Sequence, residues 1–557
     1  MIDAAWIEKN GGGMLLLSLF LGAVLTFIGS HILLARYRKA VQRAMRRQSG
    51  AELPAAVYAS SRTSKDAPTE GGSESSADLL RRASRGPWEV AGVFALAGTA
   101  CAVVAAIGKV LQGGAFSITL FAGVFAVTSW IVFILVMLAV GATKRRRRLG
   151  LLLYLAFAGV VLTIVLLVSP ESSVMELLLL WLLFNLPPTL LVALILSRGV
   201  RAAGPIMMVV VFLGLMGSNV LPILALLRPD LLKAFASVGA SAGMSSSAMF
   251  WSMLGSGFAV AAMIGAMALR RVRKAYEQKR ISDLTLAADA VVIPFAVWLI
   301  LLLGGRVLAE GLWGVGAFIA YKVTAAIGLA LVSRRRKKRT ENRRLLLLRV
   351  FALGGREEDL LRSLSTHWRH VGSIQLIAAP DVAAVTLEPH ELMDFVSGRL
   401  SLRFIDSAER LQKQLENQDL DRDPDGRFRV NEFFCNDHAW RATFNALARE
   451  TDAVLMDLRA FGPAQKGCAF EIETLMNALP MDRLLFLADG ATDQDYLRRS
   501  LQRSMDKADP ESPNRNRTAA DVSVLTLDED GVEEIDELLG RLCIAARAHS
   551  KLATKSA

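Results

Sequence analysis

The chain has 557 residues, 53% of them hydrophobic, with a mean hydropathy of +0.38 and a formal net charge of +12. So large an apolar fraction excludes an ordinary soluble globular protein. The positive charge is distributed between apolar stretches and forms no nucleic-acid-binding stripe, which argues for a membrane protein and against nucleic acid as a partner.

A helix rises about 1.5 Å per residue, so roughly 20 apolar residues cross a hydrocarbon core of about 30 Å. Nine stretches have that length: 14–35, 88–111, 115–142, 149–168, 174–197, 204–227, 247–269, 285–304 and 312–332. The first does not read as a cleavable signal peptide. Asp3 and Glu8 precede it with only Lys9, and its basic residues follow the apolar run. Basic clusters at Arg36–Arg47, Lys144–Arg148, Arg198–Arg201, Arg270–Lys274 and Arg334–Arg344 follow alternate stretches, and the intervening connections are nearly free of Lys and Arg. The positive-inside rule then predicts a multi-pass protein of the cell inner (plasma) membrane, its N-terminus outside and its C-terminal part cytosolic.

In chain order, residues 1–47 read as an N-terminal anchor span and 48–87 as a disordered cytosolic linker rich in Ser, Ala, Gly and Glu. Residues 88–333 read as an eight-span helical bundle, and 334–344 as a polybasic juxtamembrane segment that meets the bilayer through anionic lipid headgroups. Polar groups within spans mark function or structural pairing. Asp289 and Lys322 lie on consecutive antiparallel spans and form a candidate ion pair, read either as a relay or as a structural pair. Asn185-Leu-Pro187-Pro188 and Asn219-Val-Leu-Pro222 mark kinks of the kind transporters use.

Residues 345–557 change character. Apolar strands at 345–353, 373–379, 427–435, 453–458, 483–488 and 521–527 alternate with helices, which predicts a doubly wound, flavodoxin-like α/β domain with a parallel sheet. Gly354-Gly355-Arg356 sits at the first strand-to-helix turn, where a phosphate or ribose could bind, but lacks a full dinucleotide fingerprint. Asp421-Arg-Asp423-Pro-Asp425-Gly426 with Glu432 satisfies a calcium-loop pattern. Pro424, Arg427 and Arg429 within it argue against calcium. The four cysteines, Cys101, Cys435, Cys468 and Cys543, have no Cys-x-x-Cys or Cys/His metal spacing, so no metal site is predicted. His367, His370, His390 and His438 read as surface residues.

The most specific signal is Ala453-Val-Leu-Met-Asp457-Leu-Arg459, a loop, and then Gly467-Cys468-Ala-Phe-Glu471-Ile472. Strand, loop and glutamate-bearing helix in this order, with Trp440 on the preceding helix and Arg349-Val350-Phe351 on the first strand, resemble the Toll/interleukin-1 receptor (TIR) domain. In that family a W-C-x-x-E-L segment follows the fourth strand, and its glutamate is catalytic in the members that cleave NAD. The resemblance spans about 200 residues in element order but few identical positions. Gly467 stands where the family has tryptophan, the first strand runs into Gly-Gly, and 388–435 is longer than its counterpart. It implies Glu471 as the catalytic residue, NAD as substrate, and ligand contacts from Arg356, Arg459, Cys468 and the Gly354-Gly355 turn. It further implies signalling or defence through self-association or a protein partner of the cytosolic domain. The alternatives are a transporter or channel with a regulatory α/β domain and a non-catalytic membrane scaffold.

Overall fold

The computed structural model describes residues 4–45, 53, 74–112, 116–140, 229–303, 312–337, 341–349, 355–378, 389–436, 438–527 and 535–553, with scattered positions between 149 and 218. The helical half comprises α1 (Ala4–Met45), α2 (Ser76–Gln112), α3 (Ile118–Thr128), α4 (Trp130–Val140), α5 (Pro229–Ser241), α6 (Ser246–Glu277), α7 (Asp283–Leu303) and α8 (Leu312–Lys337). Among the described residues four helices are long and apolar enough to cross a membrane: Ser76–Gln112, Ile118–Val140, Ser247–Glu277 and Leu312–Arg336. Four of the nine stretches read from hydropathy, 88–111, 115–142, 247–269 and 312–332, are matched by these helices; the described residues do not support nine spans, and Asn185, Pro187, Pro188, Asn219 and Pro222 lie outside them.

Helix α8 shows why these helices belong in lipid. Ala317, Tyr321, Ala325 and Leu329 are buried, whereas Val315, Ile319, Val323, Ile327 and Leu331 form an exposed apolar stripe at four-residue spacing. Without a membrane that stripe would be an unpaired hydrophobic surface. The buried face packs on α2 through small residues, which let two backbones approach where lipid offers no hydrophobic drive to associate. Gly108 lies against Trp313 and Gly328 against Val93. Trp130 of α4 and Phe295 of α7 meet edge-on at 5.0 Å in the same core.

The C-terminal half carries seven parallel strands: β1 (Leu345–Arg349), β2 (Ile374–Ala378), β3 (Phe404–Ile405), β4 (Val430–Cys435), β5 (Ala453–Asp457), β6 (Leu484–Ala488) and β7 (Ser523–Thr526). Their order is β3-β4-β2-β1-β5-β6-β7. The helices between and after them are α9 (Gly355–Trp368), α10 (Pro389–Val396), α11 (Ala408–Glu416), α12 (Trp440–Glu450), α13 (Lys466–Ala478), α14 (Gln494–Asp506) and α15 (Ile535–Ala553). Each of the six sequence-predicted strands is present. The two-residue edge strand β3 is the addition, too short to leave a hydrophobic period. Leu345 and Leu347 of β1 enter one core with α9 and α15, and Leu346 and Leu348 enter another with α12 and α13. A strand covered on both faces is apolar throughout, which is why Leu345–Leu348 does not alternate.

The two halves are not joined by a tether. Tyr37 and Val41 of α1 and Leu79 and Ala83 of α2 are buried in the same core as Trp368 and Leu539 of the α/β domain. Tyr37 meets Phe395 edge-on at 5.5 Å. The predicted linker over 48–87 is shortened accordingly: Ser76 opens α2, and Ser76–Arg85 is helix packed on α9 and α15. At Gly86 a Cβ would come within 2.4 Å of the His370 ring, so only glycine lets α2 lie this close. His367 and His370, expected at the surface, are 4% and 1% exposed; α2 and α8 cover His370 through Gly86 and Arg336. Arg336 of α8 donates to Nδ1 of His370 at 2.6 Å, and burial together with this guanidinium holds the imidazole well below its ordinary pKa.

The turn between α6 and α7 completes the docking. Asp283 accepts from Arg369 at 3.0 Å and from Arg427 at 2.6 Å. Arg429 donates to the Tyr276 carbonyl at 2.8 Å and lies 3.8 Å over the Tyr276 ring. Lys279, in the left-handed region at φ +55°, pairs with Asp419. The carboxylates of the calcium-like loop are engaged by arginine: Asp425 by Arg427 at 2.7 Å, and Asp423 by Arg429 at 2.8 Å. Among the described residues no group of His, Cys, Asp and Glu is placed to hold a metal ion. The described arginines of the predicted polybasic segment are divided between interior and surface. Arg343 and Arg344 are 4% and 3% exposed, Arg344 pairs with Glu450 at 3.0 Å, and Arg334 and Arg335 are exposed.

Replacing Asp283 by Ala leaves two buried guanidiniums without their shared partner, and breaking a buried pair from one side costs about 3 kcal/mol. Hydrogen exchange on the detergent-solubilised protein should show loss of protection at Asp419–Val430 and at the α6–α7 turn together, while β5 and β6 stay protected.

Candidate functional site

A doubly wound sheet opens a crevice where the direction of winding reverses. Here the chain winds from β1 outward through β2 and β4, then returns to the other side of β1 with β5, β6 and β7, so the switch lies between β1 and β5. Helix α9 covers one face and α13 the other. The carboxyl ends of the two strands are in register, Arg349 beside Asp457. Both are buried, at 9% and 3% exposure, and both end an otherwise apolar strand.

The loop after β5 is held by its own polar groups. Asp457 accepts from Nη2 of Arg459 at 2.6 Å and from its Nε at 2.8 Å. Ala460 is left-handed at φ +57°, and its N–H donates to Asp489 at 3.0 Å. A non-glycine residue in that region is strained, and such strain persists where the surroundings over-determine it. Gln465 accepts from the Gly462 N–H at 2.9 Å and leads into α13.

On α13, Cys468 and Glu471 are one turn apart and share the buried face. The Cys468 thiol faces the Arg349 carbonyl at 3.7 Å. Burial, with the Glu471 charge adding to it, pushes that thiol up to about 12, so it stays protonated and is no nucleophile at neutral pH. Glu471 is 6% exposed, and its Oε2 is buried without a hydrogen-bond partner. Burial alone pushes its carboxyl up to about 8. Helix α13 begins at Lys466, which puts Glu471 in the second turn, beyond the free N–H groups that would stabilise a carboxylate at a helix start. The outer side of α13 is fixed separately, Phe470 packing edge-on against Trp440 at 5.6 Å with Arg441 over its ring at 5.0 Å.

Of the sequence-predicted residues, Cys468 and Glu471 share the buried face of α13, with Cys468 against the end of β1, while Arg459 is paired with Asp457 at the end of β5. Gly354 lies outside the described residues; Gly355 opens α9, and Arg356 is its second residue, with its side chain outside them. The preceding strand is the fifth in chain order because β3 intervenes. Arg349, Asp457 and Asp489 were not singled out as site residues by sequence reasoning. The available signal was a charge closing each apolar run, in Leu-Leu-Leu-Leu-Arg349, Ala-Val-Leu-Met-Asp457 and Leu-Leu-Phe-Leu-Ala-Asp489. Apart from this crevice, Lys322 donates to Asp289 at 2.7 Å and Tyr321 to the same carboxylate at 3.2 Å, joining α7 to α8. Comparison of the chain with models of known families, with curated proteins and with solved structures finds no match.

Because the folded protein holds a proton on Glu471 that the unfolded chain releases near pH 4.5, stability falls as pH rises from about 4.5 towards 8. Glu471→Gln removes this linkage. Its advantage over the native protein should be near zero at pH 4 and about 3 kcal/mol at pH 7. Thermal unfolding across that range checks it, and an offset independent of pH would contradict the buried neutral carboxyl.

Proposed function

We propose that this chain is a multi-pass inner-membrane protein presenting a cytosolic, TIR-like α/β domain for signalling or defence, and that the β1/β5 crevice binds and cleaves NAD. The observation that carries the reading is the unpartnered, buried Glu471 carboxyl at the switch point of the sheet. An acid held neutral by burial is poised to ionise when a cation enters beside it. The nicotinamide ring of NAD, a pyridinium bonded to ribose C1′, is such a cation, and the Glu471 proton passes to solvent as it binds. As the C1′–N bond breaks, nicotinamide leaves with the bonding pair, and the Glu471 carboxylate stabilises the positive charge developing on the ribose. Water then adds to C1′ and gives its proton to Glu471, which restores the neutral resting form. Arg459 and Arg356 are the candidates for holding the pyrophosphate. On this reading the domain faces the cytosol and the N-terminus lies outside. The nine apolar stretches all traverse the bilayer, exposed Arg334 and Arg335 meet anionic headgroups, and self-association brings domains together.

The full-length protein in nanodiscs should release nicotinamide from NAD, and Glu471→Ala should lower the rate by at least about 100-fold. Absence of turnover by protein clustered on liposomes would rule out the enzymatic reading.

The Asp289–Lys322 pair favours a second reading, in which the helical half moves ions or protons and the α/β domain regulates it. That reading predicts that Asp289→Ala and Lys322→Ala abolish a flux in proteoliposomes while the protein still inserts. Equal flux from both variants and the native chain assigns the pair to structure.

A further inference from the structure

Four arginines from four separate segments converge where the helical half meets the α/β domain: Arg82 of α2, Arg336 near the end of α8, Arg343 before β1 and Arg422 in the loop before β4. Arg336 is fully employed, on His370, Glu89 and the Gly86 carbonyl. The other three are not. Arg82 bonds Glu74 at 2.6 Å through Nη2, but its Nε and Nη1 are buried and unbonded. Arg343 reaches Glu341 at 2.8 Å, and its Nε is buried and unbonded. Both terminal nitrogens of Arg422 are buried and unbonded, while its guanidinium lies 4.6 Å over the Phe428 ring.

Guanidinium does not deprotonate in proteins, so these donors cannot be relieved by losing a proton. An unmet buried donor costs about 1–3 kcal/mol, and more when it is charged. Among the described residues the carboxylate shown to interact with Arg82, Arg343 and Arg422 together is Glu74, which offers two oxygens and bonds Arg82. It stands two residues before Ser76, where α2 opens. A phosphate group has more acceptor oxygens, arranged tetrahedrally, and guanidinium forks match them. The cluster sits one turn beyond the exposed apolar stripe of α8, which ends at Leu331, and beside exposed Arg334 and Arg335.

We propose that Arg82, Arg343 and Arg422 form a binding site for a phosphate group at the seam between the two halves, and that Glu74 is the internal competitor occupying it in the empty protein. The phosphate comes from an anionic lipid headgroup or from solution. Either source would tie α2 to the segments that lead into β1 and β4, independently of any chemistry at Glu471.

The test uses the full chain in nanodiscs and reads the thermal midpoint. Discs of phosphatidylcholine alone are titrated with inorganic phosphate at constant ionic strength, and discs containing phosphatidylglycerol are measured without phosphate. A rise in the first arm assigns a soluble phosphate, and a rise confined to the second assigns a lipid headgroup. Whichever ligand acts, Arg422→Gln should weaken its apparent affinity about tenfold or more, the loss of one charge-assisted fork. Glu74→Gln should lower the midpoint of the empty protein, which the ligand then restores, and should tighten binding severalfold. No rise in either arm overturns the proposal, as does a rise unaltered in Arg422→Gln. Should Arg422→Gln fail to insert, Glu74→Gln decides alone, and a midpoint that ligand does not restore overturns the site.

Discussion

Two guanidinium groups of the α/β domain, those of Arg369 and Arg427, converge on the carboxylate of Asp283 at the start of α7. Much of the remaining structure depends on this contact. Burying two arginines is tolerable only where anions meet them; Arg427 has Asp425 of its own domain, and the anion it shares with Arg369 belongs to the other half of the molecule. Once Asp283 is seated, Arg429 closes over Tyr276, Lys279 reaches Asp419, and the α6–α7 turn becomes part of the domain surface. The sheet is thereby set at a defined height and rotation on the helical half. That placement brings Tyr37, Val41, Leu79 and Ala83 over the face of the sheet that α9 and α15 leave incomplete.

The consequence is a domain that borrows part of its core from the helices beneath it. Energy released by closing this shared core is available to couple the halves: a shift of α2 or α8 disturbs Trp368, His370 and the seam of arginines together. The polar contacts supply direction and register, and the apolar burial supplies most of the stabilisation. Membrane-half packing follows different physics. There Gly108, Gly328 and neighbouring alanines bring α2 and α8 close, and the Asp289–Lys322–Tyr321 contact closes α7 on α8.

The crevice at β1 and β5 combines opposite electrostatic solutions within a few residues. Asp457 and Arg459 neutralise each other by a two-pronged pair, whereas Glu471 is left to desolvation and keeps its proton. Ala460, strained and tied to Asp489, holds the loop that separates them.

The amino-acid sequence by itself determined what short-range pattern can carry. The apolar runs, their basic flanks, six of seven strands, the helices between them and the Cys468–Glu471 helix face are all written in local periodicity, because each depends on residues a few positions apart. Its reading went astray where distant segments meet. His370 looks like a surface residue until α2 and α8 cover it, and the basic Arg343-Arg344 looks solvated until Glu341, Glu450 and Asp452 claim it. In the Asp421–Gly426 loop the tertiary structure pairs Asp425 with Arg427 and Asp423 with Arg429. Only tertiary structure decided these partners, and with them the neutral state of Glu471, because desolvation and charge pairing depend on what surrounds a group in space and not on its neighbours along the chain.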